Sequence, residues 1–115
     1  MINFHRCKFY RNNANDQRGG AIWLNTESEC AIDSCTFNEN FISNSVNKLG
    51  HAIYVNSSTK VYITNTYFTD CGTEGEWSVI YFDGKTISIN ETKIEFTQKN
   101  NGSCGIEINS FNEIE

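Results

Sequence analysis

The amino-acid sequence predicts an all-β chain wound as a right-handed single-stranded parallel β-helix, a solenoid of about four coils with three short strands each. Three observations lead there. A unit of 26 to 31 residues recurs along the chain. Its apolar positions keep to fixed columns although the units differ in length. Within each short segment those positions lie two residues apart, which is the period of a strand and not of a helix.

The first strand of each unit is marked by two columns, Ile2, Cys30, Val61 and Ile87, then Phe4, Ile32, Ile63 and Ile89. The second strand carries Cys7, Cys35, Thr66 and Thr92, then Phe9, Phe37, Phe68 and Ile94. The third carries Ile22, Ile53, Ile80 and Ile106, then Leu24, Val55, Phe82 and Ile108. Ile114 follows Ile108 by six residues, as Cys30 follows Leu24 and Val61 follows Val55, and so opens a further coil. Between Phe4 and Cys7, and again between Ile32 and Cys35, the spacing of two slips to three. A slip repeated in every unit marks a bend of the chain. Bends in every unit close a coil, and coils stacked about 4.8 Å apart pair each strand in parallel with its own copy. Neighbouring coils then bury together an apolar face that one coil cannot bury alone.

Length varies only between the Phe column and the Ile22 column, in residues 13–20, 41–50, 72–78 and 98–104. These segments are rich in Gly, Asn and Ser, and they are expected to be loops at one edge of the solenoid. The competing architecture is an antiparallel sandwich, which wants two-residue hairpin turns. Asp83-Gly84 and Asn101-Gly102 occur, but both fall at coil-turn positions. The reading is therefore one segment over residues 1–115, with coils at 2–29, 30–60, 61–86 and 87–113. Neither end carries a polar cap, so the segment is expected to belong to a longer solenoid, or to associate end to end.

Composition supports the strands. The chain has no proline, one methionine, eight phenylalanines and five tyrosines. The run from Val61 to Phe68 is β-branched and aromatic, as strands prefer. A net charge of −5 with nine scattered basic residues argues against nucleic acid as a partner. No segment has the roughly 18 apolar residues that cross a membrane as a helix, so membrane insertion is not expected. Met1 leads directly into the first strand, with no charged-then-apolar leader read in this chain.

Two stretches carry a family resemblance. F-Y-R-N-N-A…R-G-G-A-I-W-L, from Phe9 to Leu24, and F-N-E-N…L-G-H-A-I-Y-V, from Phe37 to Val55, resemble the paired FxxN and GGA[ILV] motifs of polymorphic outer-membrane-protein repeats. The wider similarity is to right-handed, pectin-lyase-like β-helix proteins. The third unit keeps less of both motifs, reading Phe68-Thr-Asp-Cys71 and Trp77-Ser-Val-Ile80. The resemblance implies an adhesive or structural protein at the cell surface or outside the cell. Asn12 and Asn40 of the FxxN motifs are placed to stack as an amide ladder at a bend. Gly19 and Gly20 suit a crowded point where a loop re-enters the sheet.

Candidate binding residues lie on the outside of the third strand. Trp23, Tyr54 and Tyr81 occupy one outward column, followed by Glu107, where polar residues are the ordinary choice. Such a ridge offers a platform for sugar rings or a protein partner, or it is simply a cross-strand aromatic ladder that steadies the sheet. Cys7 and Cys35 adjoin in one inward column, where a disulfide is geometrically possible and buried free thiols are the commoner use. Cys71 and Cys104 flank loops and read as the better candidates for an exposed thiol or a bridge. His5 and Asp33 share a bend column without a nucleophile beside them, and His51 stands where Gly20 does, at a loop re-entry.

No catalytic, cofactor or metal site is assigned. Polysaccharide-active β-helix enzymes gather acids on one sheet, whereas Asp16, Glu27, Asp33, Asp70, Glu76, Asp83 and Glu91 fall in different columns. Three N-glycosylation patterns, at Asn56, Asn90 and Asn101, carry no weight in a chain with 16 asparagines. The expected function is a non-catalytic structural or interaction module. A fragment of a polysaccharide-active enzyme, lyase or glycoside hydrolase, is the alternative.

Overall fold

A computed structural model describes residues 1–15, 18–43, 49–57, 59–72, 77–97, 103–110 and 113–114. Among them there is no helix, and the strands recur in a fixed cycle. The first coil holds β1 (Ile2–His5), β2 (Lys8–Tyr10), β3 (Asn13–Asn15) and β4 (Ile22–Leu24). The second repeats the order with β5 (Cys30–Asp33), β6 (Thr36–Asn38), β7 (Phe41–Ser43) and β8 (Ile53–Asn56). Then come β9 (Lys60–Thr64), β10 (Tyr67–Thr69) and β11 (Trp77–Asp83), followed by β12 (Thr86–Asn90), β13 (Lys93–Glu95), β14 (Ser103–Ser110) and β15 (Glu113–Ile114).

Each strand pairs in parallel with its counterparts one coil away. The sheets run β1-β5-β9-β12-β15, β2-β6-β10-β13 and β4-β8-β11-β14. The chain is thus a parallel β-solenoid. Its register is that of the sequence columns: Ile2 pairs with Cys30, Cys30 with Val61, Val61 with Ile87 and Ile87 with Ile114. Phe9, Phe37, Phe68 and Ile94 align in the second sheet, and Ile22, Ile53, Ile80 and Ile106 in the third. The aligned phenylalanine rings stack at 4.6 Å from Phe9 to Phe37 and 4.6 Å from Phe37 to Phe68, close to the rise between coils. Parallel pairing throughout leaves no place for a hairpin at Asp83-Gly84.

The bends have a specific cause. Arg6, Ser34, Asn65 and Glu91 form one corner column, and each has a left-handed backbone with φ of 54°, 54°, 49° and 48°. Arg11, Glu39 and Asp70 form a second, with φ of 53°, 57° and 52°. None is glycine, so each pays a steric cost on the order of 1–2 kcal/mol. Two hydrogen bonds offset it. The corner amide still donates to the next coil, as in Arg6 N–H to the Asp33 carbonyl at 3.0 Å and Ser34 N–H to the Thr64 carbonyl at 3.0 Å. The side chain just after the corner donates back to the carbonyl just before it. Thr66 Oγ1 reaches the Thr64 carbonyl at 3.0 Å and Thr92 Oγ1 the Asn90 carbonyl at 2.9 Å. The thiols of Cys35 and Cys7 reach the Asp33 and His5 carbonyls at 3.3 and 3.6 Å. A small inward side chain with one donor is what this column requires, which is why it holds only Cys and Thr.

The second corner uses a different device. Asn40 Oδ1 accepts from both the backbone N–H and the Nδ2 of Asn12, each at 3.0 Å, while Asn40 Nδ2 donates to the Phe9 carbonyl at 2.9 Å. This is the amide ladder of the FxxN residues. It ends at Cys71, whose thiol donates to the Phe37 carbonyl at 3.6 Å.

One expectation needs correcting. Residues 13–15 and 41–43 are not loop: β3 and β7 pair in parallel as a small fourth sheet. Each strand is three residues with one inward apolar side chain, Ala14 or Ile42, and stacking of the coils brings the two into pairing distance. Loops begin only after Asn15 and Ser43.

Burial is graded along the stack. Cys30, Ile32, Cys35 and Phe37 of the second coil are fully buried, whereas their first-coil counterparts Ile2, Phe4, Cys7 and Phe9 are only partly so.

Two substitutions test the corner and the core by urea unfolding. Thr66→Val keeps the shape but removes the second donor to the Thr64 carbonyl and the hydroxyl that accepts the Cys35 N–H at 3.4 Å, and is expected to cost about 1–2 kcal/mol. Phe37→Ala, in the middle of the ring stack, is expected to cost about 3–5 kcal/mol. A Thr66→Val protein as stable as the parent would show that the cap does not hold the corner.

Candidate binding surface on the third sheet

Strand alternation in β4, β8, β11 and β14 sends Ile22 and Leu24 and their counterparts inward, and so sends the residue between them out. Trp23, Tyr54, Tyr81 and Glu107 are paired in register across these four strands. Trp23 meets Tyr54 edge to face, with centroids 5.9 Å apart and planes at 84°. Tyr54 and Tyr81 stack, 5.1 Å apart and inclined by 10°.

The three rings differ sharply in exposure. Trp23 is 52 % exposed, Tyr54 3 % and Tyr81 8 %. Arg18 accounts for part of the difference. Its guanidinium carbon lies 5.3 Å from the Tyr54 ring centroid, and its Nη1 donates to the Tyr54 hydroxyl at 3.3 Å. Burial pushes the Tyr81 hydroxyl above its ordinary pKa, and the neighbouring Asp83, Tyr54 and Glu107 add to the rise while Arg18 opposes it. The surface is therefore one open indole at the edge strand β4, backed by two covered tyrosines and a cation. An exposed indole suits the apolar face of a sugar ring, and the guanidinium over the adjoining Tyr54 carries hydrogen-bond donors.

Comparison of the chain with protein-family models, with curated proteins and with solved structures returned no match.

Arg18 did not stand out in the sequence. Its one signal is position, since it precedes the Gly19-Gly20 pair that returns the chain to β4. Gly19 and its counterpart Gly50 are both left-handed, at φ +68° and +70°, and an added Cβ would lie 2.3 Å and 2.2 Å from the carbonyl oxygens of Ile22 and Ile53. No side chain fits at either. The glycines turn the chain sharply into the third sheet and fix where the preceding residue, Arg18, emerges.

The remaining candidates resolve into structural parts. His5 Nδ1 lies 2.8 Å from Asp33 Oδ2 on the outer surface, an exposed pair of small energetic weight. His51 is buried. Its Nδ1 accepts the Ile42 backbone N–H at 3.0 Å, which requires an unprotonated Nδ1, and its ring fills the space beside Gly72, where a Cβ would come within 2.2 Å of it. It ties β7 to the returning loop. Asp70 is a corner residue whose Oδ1 accepts the Thr97 N–H at 2.6 Å. Asp16 and Glu76 lie outside the described residues.

Among the cysteines, Cys7, Cys30, Cys35 and Cys71 are free thiols. Cys71 is not the exposed thiol that its place beside a loop implied. It is fully buried because it occupies the inward column of Asn12 and Asn40. Burial pushes the thiols of Cys71 and Cys30 up to about 11 from 9.0. The side chain of Cys104 lies outside the described residues.

A pH dependence follows. The unfolded chain releases the Cys30 and Cys71 protons from about pH 9 upward, while the folded chain holds them to about pH 11, so the folded state binds more protons in that window. Their contribution to stability is fully present below pH 9 and is lost as pH rises towards 11. Urea midpoints measured from about pH 8 to pH 11 should fall, and a Cys30→Val, Cys71→Ala double variant should fall less steeply. Equal slopes would remove the buried thiols as the cause.

Proposed function

We propose that this chain is a non-catalytic, adhesin-like interaction module of a surface or secreted β-helix protein, and that the Trp23 ridge receives a glycan. The resemblance of the Phe9–Leu24 and Phe37–Val55 stretches to polymorphic outer-membrane-protein repeats, and more widely to right-handed pectin-lyase-like proteins, supports the setting. The observation that supports the ligand is the half-exposed indole of Trp23, set edge to face against Tyr54, whose own ring lies under the Arg18 guanidinium. A large apolar ring left open on the outer face of a sheet, bordered by fixed polar groups, has the makeup of a sugar-stacking site. A protein partner would be expected to use a wider open aromatic area than one ring.

The same reading has copies of the chain associate end to end, because the half-buried Ile2, Phe4 and Phe9 gain cover when a further coil stacks on them. Light-scattering mass should then rise with concentration, and a monomer throughout would remove this part alone.

Titration calorimetry against neutral β-glucan and oligogalacturonate oligosaccharides tests the glycan site. Binding to one of the two is expected, with Trp23→Ala weakening it about tenfold or more and the circular dichroism unchanged. Failure to bind either, or equal binding by Trp23→Ala, would overturn the assignment. Release of reducing or unsaturated ends from polygalacturonate would favour the enzyme alternative. Attachment to cells that survives enzymatic removal of surface glycans would point to a protein ligand.

A further inference from the structure

Cys7 and Cys35 stand one coil apart in the same inward corner column, and they differ in access. Cys35 is fully buried in the second coil, whereas Cys7 is half-buried in the first. The Thr36 N–H, next to Cys35, donates to the Cys7 carbonyl at 3.0 Å and holds the two corners in register. Coils in register are about 4.8 Å apart, inside the range of roughly 4.4–6.8 Å between Cα atoms that a disulfide spans. The Cys35 thiol leans towards the first coil, with Sγ 3.3 Å from the Phe4 carbonyl oxygen.

We propose that Cys7 and Cys35 form a thiol–disulfide site that reacts with the disulfide of a small thiol such as glutathione and, once closed, staples the first coil to the second. The other buried thiols are placed differently. Cys30 lies between Ile2 and Val61 in its column, and Cys71 follows Asn40 in its own, so neither has a thiol as coil-to-coil neighbour.

The exchange balances in two displacements. The Cys7 thiolate attacks one sulfur of glutathione disulfide, forming a protein–glutathione mixed disulfide and expelling one glutathione thiolate. Cys35 then gives its proton to solvent and attacks the Cys7 sulfur, which expels the second glutathione. Two protein thiols are oxidised to one disulfide, and one glutathione disulfide is reduced to two thiols. Burial raises the Cys35 thiol. Cys7 is the more accessible of the two thiols, so the first attack belongs to it, and the second waits for the half-buried first coil to open. Closure gives up two weak thiol-to-carbonyl hydrogen bonds at the corners. In return it constrains a 28-residue separation in a coil that has only part of its core covered.

The test is to expose the native chain to glutathione disulfide, quench with acid, alkylate remaining thiols and map the peptides by mass spectrometry. A transient glutathione adduct on Cys7 followed by a Cys7–Cys35 link is expected. Amide exchange in β1 and β2 should slow at least about tenfold once the link forms. Cys7→Thr keeps a donor at the corner, as Thr66 and Thr92 do, and should retain the parent's urea midpoint while forming no link. A lasting adduct on Cys7 without closure, a Cys30–Cys35 link instead, or no reaction at Cys7 would each overturn the proposal.

Discussion

The solenoid depends on turning an L-amino-acid chain through a left-handed residue without interrupting the hydrogen bonds between coils. At the Arg6, Ser34 and Asn65 corners, as at Arg11, Glu39 and Asp70, the amide of the left-handed residue keeps its partner in the next coil, so the ladder runs through the bend. The conformation itself is unfavourable for Arg6, Ser34, Asn65 and Glu91, and it persists only because neighbours over-determine it. Stacking supplies most of that restraint, since every corner lies in register with corners of the same shape. The donor that follows each corner supplies the rest. Sequence, backbone and packing therefore meet at one position: a side chain too large would not fit inward, and one without a donor would lose the second hydrogen bond to the carbonyl before the corner.

The corner also sets what faces where. It is the extra residue that shifts the apolar spacing from two to three, and without it Cys35 and Phe37 would leave the interior once Ile32 had entered it. Everything on the outer surface follows from the same phase. Trp23, Tyr54 and Tyr81 are outward because Ile22, Ile53 and Ile80 are inward, and they adjoin because the coils are in register. The inner ladder of Phe9, Phe37 and Phe68 and the outer ladder of Trp23, Tyr54 and Tyr81 are two results of one geometry. The inner one is buried by the fold itself. The outer one is covered only where other side chains cross it.

The register was legible in the sequence to the residue, because period-two spacing and column identity both survive changes in unit length. Even the pairing of Ile87 with Ile114 could be read from a six-residue interval. The corners were legible only as slips. Only Asn65 and Asp70 among the left-handed residues are of a type that favours such a backbone, and the others are Arg, Ser and Glu, which do not announce it. The pair β3 and β7 was hidden because three residues with one inward side chain leave no alternation to count. Cys71 was misplaced because adjacency to a loop in the sequence says less about burial than membership of an inward column does. The ridge residues were legible as a column, but the cover over Tyr54 was not, since it depends on the path by which Arg18 leaves a loop.

That path is itself set by backbone crowding. Gly20 returns to the sheet directly over the second coil, where an added Cβ would lie 2.1 Å from the His51 carbonyl oxygen, and His51 in turn occupies the space that Gly72 leaves empty. The first re-entry is packed against the backbone of the second, so a change of loop in one coil is transmitted to its neighbour through close backbone contact. Loop length is free to vary away from the re-entry and tightly restricted at it. A surface built beside the re-entry, as that of Arg18 over Tyr54 is, combines a paired sheet beneath with segments of varying length alongside. The backbone beneath the indole is held in register by the same stacking that makes the core.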